Sequence, residues 1–201
     1  MSKKNYGKYH TAVGKYETHN IDTFEKVTIN GVTLLNHNVC DGFIEEFNGC
    51  DCIYAEIAWF DGYSKFIEET SAQNTSYLDY LSGIKSVIEK MNVPTFILGG
   101  KKVHKILKAK NQKDISFVFH NNYKTCYSVY NVNIEDLDFN NEIEAREYIS
   151  KKYNKILDFS CGYGIILKDI LKQNKQAVLS DINNDCLNYI KTTLEEGGFN
   201  E

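Results

Sequence analysis

Three residue types occur once each in this sequence: Pro94, Arg146 and Trp59. A single proline in 201 residues excludes collagen-like and proline-rich linker architectures, which use that residue in quantity. A single arginine counts against a sequence-specific DNA reader, because arginine is the usual bidentate partner of guanine edges and phosphates. Neither sign of charge dominates: the formal net charge is −4, so no global basic field advertises a nucleic-acid partner. No apolar run approaches the roughly 20 residues of a membrane helix. The opening Met1-Ser2-Lys3-Lys4-Asn5-Tyr6 lacks the apolar core of a signal peptide. These absences lead us to expect a cytoplasmic protein with no membrane partner. The cysteines at 40, 50, 52, 126, 161 and 186 match no paired zinc knuckle, since Cys50-x-Cys52 is too tight and has no second pair. Free thiols and no metal are the expectation.

What is present is an ordinary folding composition, 42% hydrophobic and 25% charged, and one domain over 1–201 is expected. Residues 1–25 are polar and tyrosine-rich and read as an N-terminal arm or lid. Lys26–Leu35 reads as two short strands around Asn30-Gly31, a strong hairpin signal. The pattern then alternates. A short helix is expected over Asp41–Phe47 and a strand over Cys52–Ala55. Apolar residues at helical spacing predict a helix over Tyr77–Met91, with Pro94 opening the strand Thr95–Leu98. A helix over Lys101–Lys110 follows, then strands Ser116–Phe119 and Thr125–Tyr130. Helix Glu142–Lys151, strand Lys155–Phe159, helix Ile165–Gln173, strand Gln176–Leu179 and helix Asn184–Glu195 complete the chain. Alternating strands and helices predict an α/β fold whose mostly parallel sheet has helices on both faces, with the late hairpin adding one antiparallel edge strand.

The stretch richest in chemistry is Lys155-Ile-Leu-Asp158-Phe-Ser160-Cys161-Gly162-Tyr163-Gly164. A strand ends in an acid, a glycine turn follows and a helix begins. Gly162 and Gly164 allow the backbone to approach a ligand closely, and the helix start offers N–H groups to an anion such as a carboxylate. Asp181 closes the next strand, where α/β nucleotide binders place an acid on the ribose hydroxyls.

Asp158-Phe-Ser-Cys-Gly-Tyr-Gly164 resembles the cofactor loop of the Rossmann-like S-adenosylmethionine-dependent methyltransferases, and Ser180-Asp181-Ile182 resembles their second motif. The resemblance implies that Asp158, Ser160, Cys161, Gly162 and Gly164 hold the methionine end of S-adenosylmethionine. It further implies that Asp181 takes the ribose and Ile182 packs on the adenine. After Gly164 the sequence holds one helix, one strand and one further helix, so the other strands must come from upstream. The resemblance thus implies a seven-stranded sheet in circularly permuted order, with the usual third to seventh strands in 26–135 and the cofactor-loop half in 136–201. Permuted order is a habit of the amino-methyltransferases of DNA bases, which makes the adenine-specific type the nearest likeness.

That likeness places Val32–Val39 as the third strand and puts Asn38 where an Asp or Asn bonds the cofactor's adenine amine. The next strand should end in an Asp, Asn or Ser followed by Pro-Pro and an aromatic residue. The chain instead reads Glu56-Ile57-Ala58-Trp59. Glu56 implies the acceptor of the target amine's hydrogen bonds, and Trp59 the stacking partner of an extruded base. Glutamate reaches one methylene further, and the stiffness of two prolines is lost. Three readings follow: a working amine methyltransferase with a re-shaped site, a methyltransferase for a small molecule, or an inactive cofactor-binding subunit of a heteromeric enzyme.

Lys101, Lys102, Lys105 and Lys108 belong to a stretch without acids that follows the fifth strand of the likeness. They read as a solvated face or as a phosphate-contacting strip that positions nucleic acid, DNA rather than RNA, without reading its sequence. No segment is long enough for a separate recognition region, so specificity would be low, shape-based or supplied by a partner subunit.

Overall fold

The computed structural model describes residues 24–57, 76–117 and 123–199. Eight strands form one sheet in the order β1-β2-β8-β7-β3-β4-β6-β5. They are β1 (Val27–Ile29), β2 (Val32–Asn36), β3 (Cys52–Glu56), β4 (Thr95–Leu98), β5 (Asn111–Phe117), β6 (Tyr123–Tyr130), β7 (Lys155–Asp158) and β8 (Gln176–Asp181). The five strands from β2 to β4 in that order run parallel, while β1 and β6 run against their neighbours. The expected seven strands are therefore eight. Asn30 and Gly31 both take positive φ, the conformation that matches a two-residue hairpin to strand twist, and so β1 folds back onto β2 at the edge. The last two strands in sequence, β7 and β8, lie between β2 and β3.

Five helices are α1 (Tyr77–Met91), α2 (Gly100–Leu107), α3 (Glu142–Lys152), α4 (Leu167–Lys172) and α5 (Asn184–Glu195). They divide between the faces of the sheet. Leu81, Ile84 and Val87 of α1 and Val103 and Leu107 of α2 share one core with Ile53, Ala55, Ile97, Leu157 and Val178. Ala145 and Ile149 of α3, Leu167 and Ile170 of α4, and Leu187 and Ile190 of α5 share the other with Tyr54, Leu98, Tyr127, Ile156 and Leu179. Covering both faces explains why β3, β4 and β8 are nearly continuous apolar runs rather than alternating ones.

The structure corrects several element boundaries of the sequence reading, among them the strand expected from Ser116, which starts at Asn111 as β5. Asp41–Phe47 is not a helix. It is spanned by two separate 3-10 turns, Val39–Asp41 and Glu45–Phe47, parted by Gly42 at φ 84°. The helix expected to reach Lys110 stops at Leu107, because Lys108 adopts the left-handed cap conformation at φ 53°. The helix after the glycine loop starts at Leu167 rather than Ile165, because Gly164 and Leu167 close the intervening residues into turns. The six cysteines are unpaired thiols. Among the described residues no helix is long and apolar enough to cross a membrane, and no cluster of side chains could hold a metal ion.

Candidate active site

Three neighbouring strands of the parallel sheet each end in an acid: β8 in Asp181, β7 in Asp158 and β3 in Glu56. Side chains alternate along a strand, so these acids lie on the face that holds Leu179, Ile156 and Tyr54, two residues earlier in each strand. The row stands at the carboxyl edge, where open α/β sheets bind ligands.

The loop after β7 wraps this edge. Asp158 Oδ1 accepts from the Ser160 N–H at 3.1 Å, and Asp181 takes the Gly162 N–H on Oδ2 at 2.8 Å and the Asn183 N–H on Oδ1 at 2.9 Å. The Cys161 N–H donates to the Ser180 carbonyl and that of Gly164 to the Cys161 carbonyl. The N–H groups of Ser160, Cys161, Gly162 and Gly164 are thus spent within the loop and on the end of β8. Acids, rather than amide donors, dominate the cradle, and its electrostatics favour a cation. Ser160 Oγ is tied to Tyr80 OH of α1 at 2.8 Å, a contact that sequence reasoning missed for want of any signal between residues so distant in sequence.

Gly162 and Gly164 differ. A Cβ at Gly162 would meet nothing within 4 Å, whereas one at Gly164 would come 3.2 Å from Ile190 Cδ1. Gly162 therefore fronts open space beside Asp181, and Gly164 packs against α5.

Burial raises all three acids from their ordinary values. For Asp158 burial is the largest cause, the Ser160 N–H opposes it, and Asp181 and Glu56 add repulsion. Asp181 is raised by burial against the N–H groups of Asn183 and Gly162. Glu56 is raised by burial, lowered by Arg146 and raised again by Glu142. A cluster of negative charge that resists full ionisation is relieved by a cationic ligand.

Strand pairing continues past Glu56 to Ile57, where the likeness has proline. Glu56 lies opposite Leu98, and the Ile57 N–H donates to the Leu98 carbonyl at 3.1 Å, a bond that proline could not make. Ile57 is buried in the core below. Strand pairing and burial thus hold the residue after the acid in the absence of Pro-Pro.

Asn38 caps the 3-10 turn Val39–Asp41, its Oδ1 accepting from the Cys40 N–H at 3.0 Å. The neighbour that touches the Asp181 segment is Asn36, whose Nδ2 donates to the carbonyls of Asp181 and Ile182 and to Asn184 Oδ1. Ile182 is half-buried at that junction. Lys101, Lys102, Lys105 and Lys108 are exposed along α2 and its cap. Trp59 and residues 1–23 of the arm lie outside the described residues.

No family model and no curated protein matches the sequence. Solved structures match it in three dimensions. TTHA0409 of Thermus thermophilus, described as a candidate DNA modification methylase, is similar over 81% of this chain and 94% of its own at TM-score 0.55 and 11% identity. M1.HpyAVI is similar over 81% of this chain and 98% of its own at TM-score 0.52 and 12% identity. The M1.HpyAVI–SAM complex is similar over the same shares at TM-score 0.51 and 10% identity. At such identity the likeness is one of fold, and the chain has the methyltransferase-like α/β fold of these proteins.

Proposed function

We propose that the chain is an S-adenosylmethionine-dependent methyltransferase acting on an amino group of a nucleic-acid base, adenine in DNA first. The observation that carries this reading is the row Asp181–Asp158–Glu56 beside a glycine-fronted opening at the carboxyl edge of the sheet. The likeness to a candidate DNA modification methylase and to a protein solved with SAM supports it. The strand order, with β7 and β8 inserted between β2 and β3, supports the circular permutation and a single methyltransferase domain over 1–201.

The cofactor carries a sulfonium and an ammonium against one carboxylate, so a buried acid row suits it. When bound, it supplies a methyl group and leaves as a neutral thioether. Asp158 with Ser160, Cys161, Gly162 and Gly164 would hold its methionine end. Each oxygen of Asp181 accepts one backbone N–H and keeps a lone pair for a ribose hydroxyl. Ile182 would pack on the adenine, with Asn38 near its amine. Glu56 would accept hydrogen bonds from the target amine while Trp59 stacks the base. Lys101, Lys102, Lys105 and Lys108 would contact phosphates, with a partner subunit supplying any sequence preference.

A second reading, an inactive cofactor-binding subunit, is favoured by one observation: the Ile57 N–H is committed to the Leu98 carbonyl of β4 where the likeness has proline. Calorimetry with S-adenosylmethionine and its demethylated product tests the site common to both readings. Wild-type chain should bind, and Asp181→Ala combined with Gly162→Val should abolish binding. Retained binding in that double variant would remove the site assignment.

A further inference from the structure

The sole arginine has no role in the site as described so far. Arg146 lies in α3, 7% exposed, and its Nε donates to Asp169 Oδ2 of α4 at 3.1 Å. Its Nη1 is buried and has no hydrogen-bond partner among the described residues. The hydroxyls of Tyr54 on β3 and Tyr127 on β6 are buried on one face of the sheet, their ring centroids 6.3 Å apart, with at most each other as partner among the described residues. Leaving a buried polar group unsatisfied costs about 1–3 kcal/mol, more when it is charged. The buried guanidinium edge, facing two hydroxyls that are donors themselves, calls for an acceptor on this face of the sheet.

Strand register supplies it. Glu56 follows Tyr54 by two residues and shares its face. Glu56 also pairs with Leu98, which pairs with Tyr127, so one row across β3, β4 and β6 aligns the acid with the second tyrosine. Ala145 and Ile149, which flank Arg146 in α3, pack into the same core as Tyr54 and Tyr127, and Arg146 acts electrostatically on Glu56, Tyr54 and Tyr127 alike. The titratable and charged groups around Glu56 are thus Tyr54, Tyr127, Glu142 and Arg146, with Asp158 on β7 alongside and Asp169 behind Arg146.

We propose that Arg146 is a positioning residue for Glu56: anchored by Asp169, its free edge joins the Tyr54 and Tyr127 hydroxyls as the donors that aim the acid at the open edge of the sheet. This deepens the reading of Glu56 as acceptor of the target amine and rests on it. Anchorage from beneath offsets the freedom of the extra methylene that glutamate has over aspartate.

The test is a carbon-13 titration of the glutamate carboxyls in the full chain, with Glu56 identified by its loss in Glu56→Gln. Arg146→Met keeps the aliphatic bulk and is expected to raise the Glu56 midpoint by about one pH unit, a tenfold change in proton affinity. Arg146→Lys should raise it less. Asp169→Asn releases the guanidinium from its other partner and should lower the midpoint. An unchanged midpoint in Arg146→Met overturns the proposal. Should that variant fail to fold, Asp169→Asn decides alone, and a midpoint that stays or rises overturns it. The titration needs no cofactor. A wild-type chain that transfers no methyl group therefore removes the functional reading without touching this link, and an unmoved midpoint in an active enzyme removes only the link.

Discussion

Gly162 and Gly164 sit two residues apart and serve different ends. Both hold positive φ, 48° and 73°, where any side chain is strained. At Gly164 a methyl group must also displace Ile190. Gly164→Ala is expected to cost about 2–3 kcal/mol, the sum of left-handed strain and mild overpacking. Gly162→Ala should cost only the strain, about 1 kcal/mol, yet lose most cofactor affinity because its methyl enters the space the ligand needs. Thermal melts beside calorimetry separate the two, and a Gly162→Ala chain with full affinity contradicts the assignment.

The raised acids make binding depend on pH in a definite direction. Their native carboxyls keep protons that the unfolded chain releases near 3.8, the ordinary value for Asp158 and Asp181. Between that value and the raised native ones the native state binds more protons, so free-chain stability falls as pH rises through the window. A cationic cofactor prefers the ionised acids. Its affinity should therefore rise with pH over the same window, by up to about tenfold per pH unit for each proton released. The demethylated product lacks the sulfonium charge and should respond less. Calorimetry in buffers of different ionisation enthalpy reads the released protons, and zero release contradicts the electrostatic account.

At the scale of elements, α1 shows where sequence signals suffice and where they mislead. Its ends were legible because both caps are local: Ser76 Oγ accepts the Asp79 N–H, and Asn92 takes the left-handed cap. Gly83 within it reads as a weak spot that alanine would mend, since alanine gains about 1 kcal/mol in a helix interior. The fold reverses this. A Cβ at Gly83 would lie 2.4 Å from the Val39 carbonyl, where α1 rides over a 3-10 turn. Gly83→Ala is expected to lower stability by about 1–3 kcal/mol, read as a drop in melting temperature. Arg146 was illegible for a related reason. The sequence of α3 is too polar to reveal an inward face, yet Glu142 and Arg146 are buried there. No periodicity marks a buried charge whose partners lie on α4, β3 and β6.

Over the whole molecule, the sheet assembles its acid row from residues far apart in the sequence, because β7 and β8 enter between β2 and β3. That 155–158 and 176–181 are strands was legible from their apolar runs; which strands they join is a property of the assembled sheet. The eighth strand was not counted, although its hairpin turn was recognised, since a turn alone does not say which sheet a short strand joins. The charge distribution is also a property of the whole. The net charge is −4, yet Lys101, Lys102, Lys105 and Lys108 form an exposed basic face on α2, which starts directly after β4 at the edge that carries the acids. Reversing Lys101, Lys105 and Lys108 to glutamate should leave cofactor binding intact and weaken DNA binding at least tenfold at low salt, measured by fluorescence anisotropy; unchanged DNA affinity would favour a small-molecule substrate.

The most direct measurement is transfer of a labelled methyl group from S-adenosylmethionine to unmethylated DNA, followed by digestion to nucleosides and mass spectrometry. N6-methyldeoxyadenosine should form with the wild-type chain and disappear with Glu56→Ala. Cofactor binding with no methylated nucleoside from DNA or RNA would contradict the account.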